Sequence, residues 1–161
     1  TKHGRTLDIR HLIEIGTWVE TALQKKSSIP LFYSWPMAFY SVKKLLNYNG
    51  YSCGMFNILG ILHTGQLAMC GIGVEIPELC YGQLGEDQLA DVWYNHPILK
   101  DMRRDLPSGL KGVCGACVFR DRCIGMCVAE NYSSGGSLTS SFWFCQMAED
   151  AGLFPSSRLR N

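Results

Sequence analysis

The sequence predicts an α+β chain. A helix–strand–helix segment occupies residues 1–50, and from residue 51 a small domain of one β-hairpin and short helices is stapled through its cysteines. Three observations carry this. Apolar residues recur at helical spacing over residues 7–25 and 37–47. Two short apolar runs flank a glycine-containing turn between residues 57 and 69. All eight cysteines of the 161-residue chain lie beyond residue 52. That length suffices for one domain with a real core, or one small domain plus a further segment.

Taken in order, Leu12, Ile15, Trp18, Val19, Ala22 and Leu23 share one face of the first helix. Lys25 and Lys26 fall in its last turn, where cations suit the negative end of the helix dipole. Residues 29–33, Ile-Pro-Leu-Phe-Tyr, predict a short buried strand. Pro36 suits the first turn of a second helix over residues 37–47, with Ala38, Val42, Leu45 and Leu46 inward and Asn49-Gly50 as its stop. Helix, strand, helix is the rhythm of an α/β barrel or a doubly wound sheet. A single strand has nothing to pair with, so the segment is expected to be the end of a barrel. The alternative is a helical cap packed on the cysteine-bearing domain.

Beyond residue 51, the runs 57–62 and 66–69 around His63-Thr64-Gly65 predict a hairpin, with Gly65 at positive φ in its tip. Its outer ends carry Cys53 and Cys70. Residues 71–86 read as a glycine-rich loop, and residues 89–94 and 98–106 as two helical pieces broken at Pro97. His96 sits at that break and is expected as an exposed or capping residue rather than a ligand. Asp101, Arg103, Arg104 and Asp105 read as a solvated helix face, and residues 133–137 as a flexible loop. A final short helix starts within residues 142–148 and ends at Gly152, with Pro155 beyond.

Composition narrows the function. Fifteen basic and 14 acidic residues leave a net charge of +1, with no basic stripe to recruit nucleic acid or an anionic membrane. No apolar stretch approaches the ~20 residues that span a bilayer, and no signal-type apolar region follows the first residues. Seven of the eight cysteines form one ordered pattern: Cys53-x11-Gly65-x4-Cys70, then Cys114-x2-Cys117-x5-Cys123-x3-Cys127, then Cys145. Four sulfurs within fourteen residues favour thiolates on a metal centre over long-range disulfides, and hence a reducing, cytoplasmic setting. Zinc ribbons use two CxxC-type pairs, whereas this chain has one, so iron–sulfur ligation is the expectation and zinc the rival.

The seven-cysteine pattern with its Gx4C glycine resembles the SPASM domain, the auxiliary-cluster region of many radical S-adenosylmethionine maturases, over about residues 51–161. The resemblance implies two [4Fe–4S] clusters. Cys53, Cys70 and Cys127 would hold the first, and Cys114, Cys117, Cys123 and Cys145 the second. It also implies that residues 1–50 are the last part of the radical SAM barrel. Some members supply the first cluster's fourth ligand from a cysteine between the first cysteine and the glycine, and residues 54–69 have none. Cys80 is then a ligand candidate by elimination, ranked slightly below an open iron that takes an exogenous ligand. The alternative is that Cys80 is a small buried apolar residue, since its neighbours Leu79 and Tyr81 read as packed.

Function follows the same resemblance: the C-terminal part of a maturase of a ribosomally made peptide, whose auxiliary clusters relay electrons or bind substrate. The implied partners are a precursor peptide and an external electron donor or acceptor. S-adenosylmethionine would enter only through a catalytic region absent from this chain, which has no Cx3Cx2C motif. No GxSxG, HExxH or phosphate loop occurs, and no catalytic residue is expected. Arg120, Asp121, Glu130 and Tyr132 flank ligands but read as solvated. The alternative is a stand-alone electron-transfer or scaffold module that docks on a separate catalytic subunit.

Overall fold

A computed structural model of the chain describes residues 7–31, 33–47 and 53–160. Asp8 starts the first helix, α1 (Ile9–Trp18), by accepting the His11 N–H at 2.9 Å. The helix continues through a π-helical turn, Val19–Leu23, into α2 (Gln24–Lys26), whose last turn is basic as expected. Its buried side differs from the expected one. Ile9 and Gly16 are buried, whereas Ile15 and Trp18 are 45% and 53% exposed. The cause is Trp35, whose indole ring lies against Gly16; any Cβ there would overlap the ring.

The described residues of the 29–33 run join no sheet, and Ile29 is 65% exposed. Phe32, and the Asn49-Gly50 turn expected after the second helix, lie outside the described residues. The Leu31 N–H is held by Gln24 Oε1 at 3.0 Å, and the chain leads into an aromatic stretch instead of a strand. The expected 37–47 helix is divided into a 3-10 turn, Met37–Phe39, and a short α3 (Val42–Leu46). Ser41 makes the division, because its hydroxyl caps α3 by accepting the Lys44 N–H at 3.2 Å. Ala38 is buried as expected, but Val42 and Leu46 face outward.

A three-stranded antiparallel sheet follows, in the order β1 (Gly60–Ile61), β2 (Gln66–Ala68), β3 (Cys80–Gln83). The hairpin tip is as the sequence predicts: Gly65 has φ +82°, and its N–H reaches the Leu62 carbonyl at 2.9 Å. β3 lies in the stretch expected to be loop. Leu79 and Tyr81 alternate into the core beside Leu67, so the glycine-rich run ends in a period-2 segment. A bulge between Leu67 and Ala68 sets Ala68 opposite Cys80.

Six α-helices follow the sheet among the described residues. Pro97 divides α4 (Leu89–Asn95) from α5 (Pro97–Asp105) by opening the second at its first position. Then come α6 (Gly112–Ala116), α7 (Arg120–Cys123), α8 (Val128–Gly135) and α9 (Trp143–Asp150). The expected 133–137 loop begins only at Gly136, which ends α8 at φ +69°. No helix among the described residues is long and apolar enough to cross a membrane.

Edge-to-face aromatic pairs join the first segment to the last helix. Trp35 and Phe39 each lie 5.2 Å from Phe144, and Phe39 lies 5.6 Å from Phe154. One continuous core therefore runs from Ile9 to Phe154.

Replacing a helical glycine by alanine ordinarily stabilises a helix by up to ~1 kcal/mol. Gly16→Ala is expected to do the reverse, with a net loss of about 1–2 kcal/mol, because overpacking against Trp35 costs about 1–3 kcal/mol. Urea unfolding reads the sign, and a stabilised variant would refute the packing.

Candidate metal centre

The site is built where α6, α7 and α9 meet the 36–38 turn. The segment before α9 anchors α6. The Lys111 N–H donates to the Thr139 carbonyl at 2.9 Å, and the Ser141 hydroxyl to the Lys111 carbonyl at 2.6 Å. The C-terminal tail holds the CxxC turn from the other side, with the Arg160 N–H on the Ala116 carbonyl at 2.7 Å and the Val118 N–H on the Arg158 carbonyl at 2.8 Å. Asp121 secures that tail by pairing with Arg160 at 2.6 Å and Arg120 at 3.0 Å. Sequence reading left Arg120 and Asp121 as solvated residues and missed the tail, because a two-residue bridge to a turn leaves no periodic signal.

After α7 the backbone enters a left-handed bend of three successive residues, Ile124 (φ +53°), Gly125 (φ +72°) and Met126 (φ +66°). A β-branched residue in this region is strained. The fully buried Asn131 holds the bend through a 2.8 Å bond from its side-chain amide to the Gly125 carbonyl. Cys123 lies before the bend and Cys127 after it, and the two turn to different neighbours.

Cys114, Cys117, Cys123 and Cys145 line one small recess, which Pro36, Met37 and Ala38 help to wall. Cys114, Cys117 and Cys145 are each less than a tenth exposed. The thiols act on one another. The Cys145 hydrogen bond lowers the Cys114 pKa to about 7, with the Phe142 amide and the Ser141 hydroxyl assisting against burial. Cys145 is correspondingly raised, first by that bond, then by burial and the charges of Cys114, Cys123 and Cys117. Burial raises Cys123 to about 11, and Cys114 adds to it. Burial also raises Cys117, although the Phe119 amide, Arg160 and Arg158 act against it.

Backbone donors point at the sulfurs. The Phe142 N–H lies 3.3 Å from Cys114 Sγ, and the Phe119 N–H 3.4 Å from Cys117 Sγ. The amides of Met126 and Met37 lower Cys123. Such N–H donors favour thiolate sulfur, the form that binds metal.

The other cysteines lie elsewhere. Cys127 occupies the N-cap position of α8; burial raises its pKa, as do the charges of Glu130 and Cys53, while the amides of Glu130 and Ala129 lower it. Cys70 follows β2, with its backbone against Gly60, and Cys80 begins β3. Burial, with Cys70 and Cys80 adding to it and Arg103 opposing, raises the Tyr81 hydroxyl. His96 is half-buried between α4 and α5, with its ring 4.8 Å from that of Tyr81, and burial lowers its pKa. Among the described residues no disulfide is formed. Nor do three histidine, cysteine or acidic side chains converge tightly enough there for a single metal ion. A zinc ion needs ligands at about 2.0–2.3 Å from one point, whereas a four-iron cluster takes its four cysteines at separate irons.

The chain matches no protein-family profile, no curated protein and no solved structure.

In the metal-free protein, Cys114 should lose its proton near pH 7, well below the ordinary thiol value of 9.0. Its stabilising contribution is present above pH 9 and lost as pH falls through about 7. Cys117, Cys123 and Cys145 are raised, so theirs is present below pH 9 and lost as pH rises through the raised values. Thiolate absorbance should rise in a step near pH 7 that is missing in Cys114→Ser. A first step above pH 9 in the unsubstituted protein would contradict the arrangement.

Proposed function

We propose that the chain is an auxiliary iron–sulfur domain of the SPASM type, carrying two [4Fe–4S] clusters for electron relay or substrate binding in a peptide maturase. The observation that carries this is the four-cysteine recess, in which sulfurs from α6, α7 and α9 share one space and backbone amides donate to them. Cys114, Cys117, Cys123 and Cys145 would hold the second cluster there. Cys127, turned away by the left-handed bend toward Cys53, would join Cys53 and Cys70 on the first. Bound iron–sulfur clusters supply one-electron transfer at potentials that hydrogen bonds and burial adjust. The protein's own share is to bury the thiols, orient them with amides and exclude water. The precursor peptide, the external electron donor or acceptor, a barrel preceding residue 51 and a cytoplasmic setting belong to the same proposal.

The second reading is a stand-alone cluster module docking on a catalytic subunit. The described residues of the 29–33 run join no sheet, and that favours it over the barrel-end reading. Searching the encoding frame upstream for Cx3Cx2C separates the two.

Protein made anaerobically should be brown, with iron and acid-labile sulfide each near eight per chain. Stoichiometric zinc without sulfide overturns the proposal. Cys117→Ala or Cys123→Ala should halve both contents and lower the thermal transition, since ligand loss and folding are coupled. Unchanged iron would refute the ligand assignment.

With S-adenosylmethionine and a strong reductant, the isolated chain should form no 5′-deoxyadenosine above a cluster-free control, because it lacks Cx3Cx2C. Formation at enzymatic rates would place primary radical chemistry on these clusters.

A further inference from the structure

The first helix changes its winding at residues 19–23. In that π-helical turn the Gln24 N–H donates to the Val19 carbonyl, five residues back. Residues five apart on an α-helix point about 140° away from each other. A π turn takes more residues per turn and brings them back toward one side. Glu20 and Lys25, five apart, accordingly line one cleft of about 350 Å³. Lys43 and Lys44 line it from α3.

Glu20 is the one carboxylate among the described residues of the cleft, and it is already engaged. The Ser41 hydroxyl and amide both donate to it, the amide at 3.3 Å. None of the ion pairs among the described residues involves a lysine. Three ammonium groups against one carboxylate leave positive charge in excess, and a cleft of one sign concentrates the opposite ion. Tyr33 lines the same cleft and carries a buried hydroxyl without a hydrogen-bond partner. Burial, with the charge of Glu20 adding to it, raises that hydroxyl to about 12, which keeps it a donor at neutral pH. A buried donor in the wall of a cleft is available to whatever fills the cleft.

We propose that this cleft binds a phosphate-bearing small molecule, with the phosphate group set among Lys25, Lys43 and Lys44. A phosphate monoester carries close to two negative charges at neutral pH and three acceptor oxygens. Three lysines less one carboxylate match that charge, and lysine serves phosphate as a point charge. The cleft has the size of a small-molecule site, roughly 300–1,000 Å³, and offers more room than phosphate alone needs. The Tyr33 ring gives the organic part a wall. None of the residues lining the cleft is a cysteine, so the inference stands apart from the cluster reading.

The test is a calorimetric titration of the anaerobically purified protein at low salt, with phenyl phosphate, inorganic phosphate and succinate as probes. Phenyl phosphate should bind at one site per chain, inorganic phosphate severalfold more weakly, and succinate most weakly. Lys25→Gln, and Lys43→Gln combined with Lys44→Gln, should weaken phenyl phosphate by about two- to fivefold per lysine removed. Tyr33→Phe should weaken it as well. Lys26→Gln, beside Lys25 but outside the cleft, should leave the affinity unchanged. Absence of saturable binding overturns the inference, and so does equal weakening by Lys26→Gln and Lys25→Gln. Succinate binding as tightly as phenyl phosphate overturns the phosphate assignment, and inorganic phosphate doing so overturns the small-molecule assignment. If the double variant does not fold, the comparison of Lys25→Gln with Lys26→Gln decides. Protein without acid-labile sulfide that still binds phenyl phosphate defeats the cluster reading and leaves this inference standing.

Discussion

The rest of the structure depends on how α9 packs. Successive residues of a helix point about 100° apart, so neighbouring residues on α9 serve two different partners. Phe144 enters the aromatic group with Trp35 and Phe39. Cys145, the next residue, faces the recess of Cys114, Cys117 and Cys123. The hydrophobic core and the candidate metal centre thus share one helix. Trp35 extends the connection to α1 through its seat on Gly16. The turn it leads into supplies Pro36, Met37 and Ala38 as a wall of the recess.

The recess is an unfavourable place for bare thiolates. Burial and mutual repulsion raise Cys117 and Cys123, the bond to Cys114 raises Cys145 ahead of burial, and Cys114 falls through that bond with help from the Phe142 amide and the Ser141 hydroxyl. On the proposed reading, metal replaces those protons, and its binding free energy enters the stability of the fold. The left-handed bend 124–126 belongs to the same economy of space. It strains Ile124, yet it lets two cysteines four residues apart serve different neighbourhoods, with Asn131 holding the bend from the core.

Much of the local structure was legible in the sequence, for local reasons. The basic last turn of the first helix, the Gly65 tip, the Pro97 break and the final helix all follow from signals within a few residues. β3 was not legible, because a glycine-rich run reads as loop until Leu67 and Ala68 offer a ladder to pair with. The 29–33 run carried the right composition for a strand, but its described residues have no partner in the sheet. The buried side of α1 was misread at Ile15 and Trp18, since periodicity alone cannot see the indole that selects Gly16.

For the candidate site, the sequence by itself singled out the cysteines as the candidate ligands. Cysteine spacing is a one-dimensional property, and a CxxC turn sets two sulfurs near each other in any fold. Only the tertiary structure decided the company those sulfurs keep. Cys145 reaches Cys114 across 30 intervening residues because α6 and α9 pack together. Cys127 leaves its sequence neighbour Cys123 because the bend between them is left-handed. The convergence of Lys25, Lys43 and Lys44 on one cleft was equally out of reach. A cleft is a property of three-dimensional packing, and no spacing along the chain encodes it.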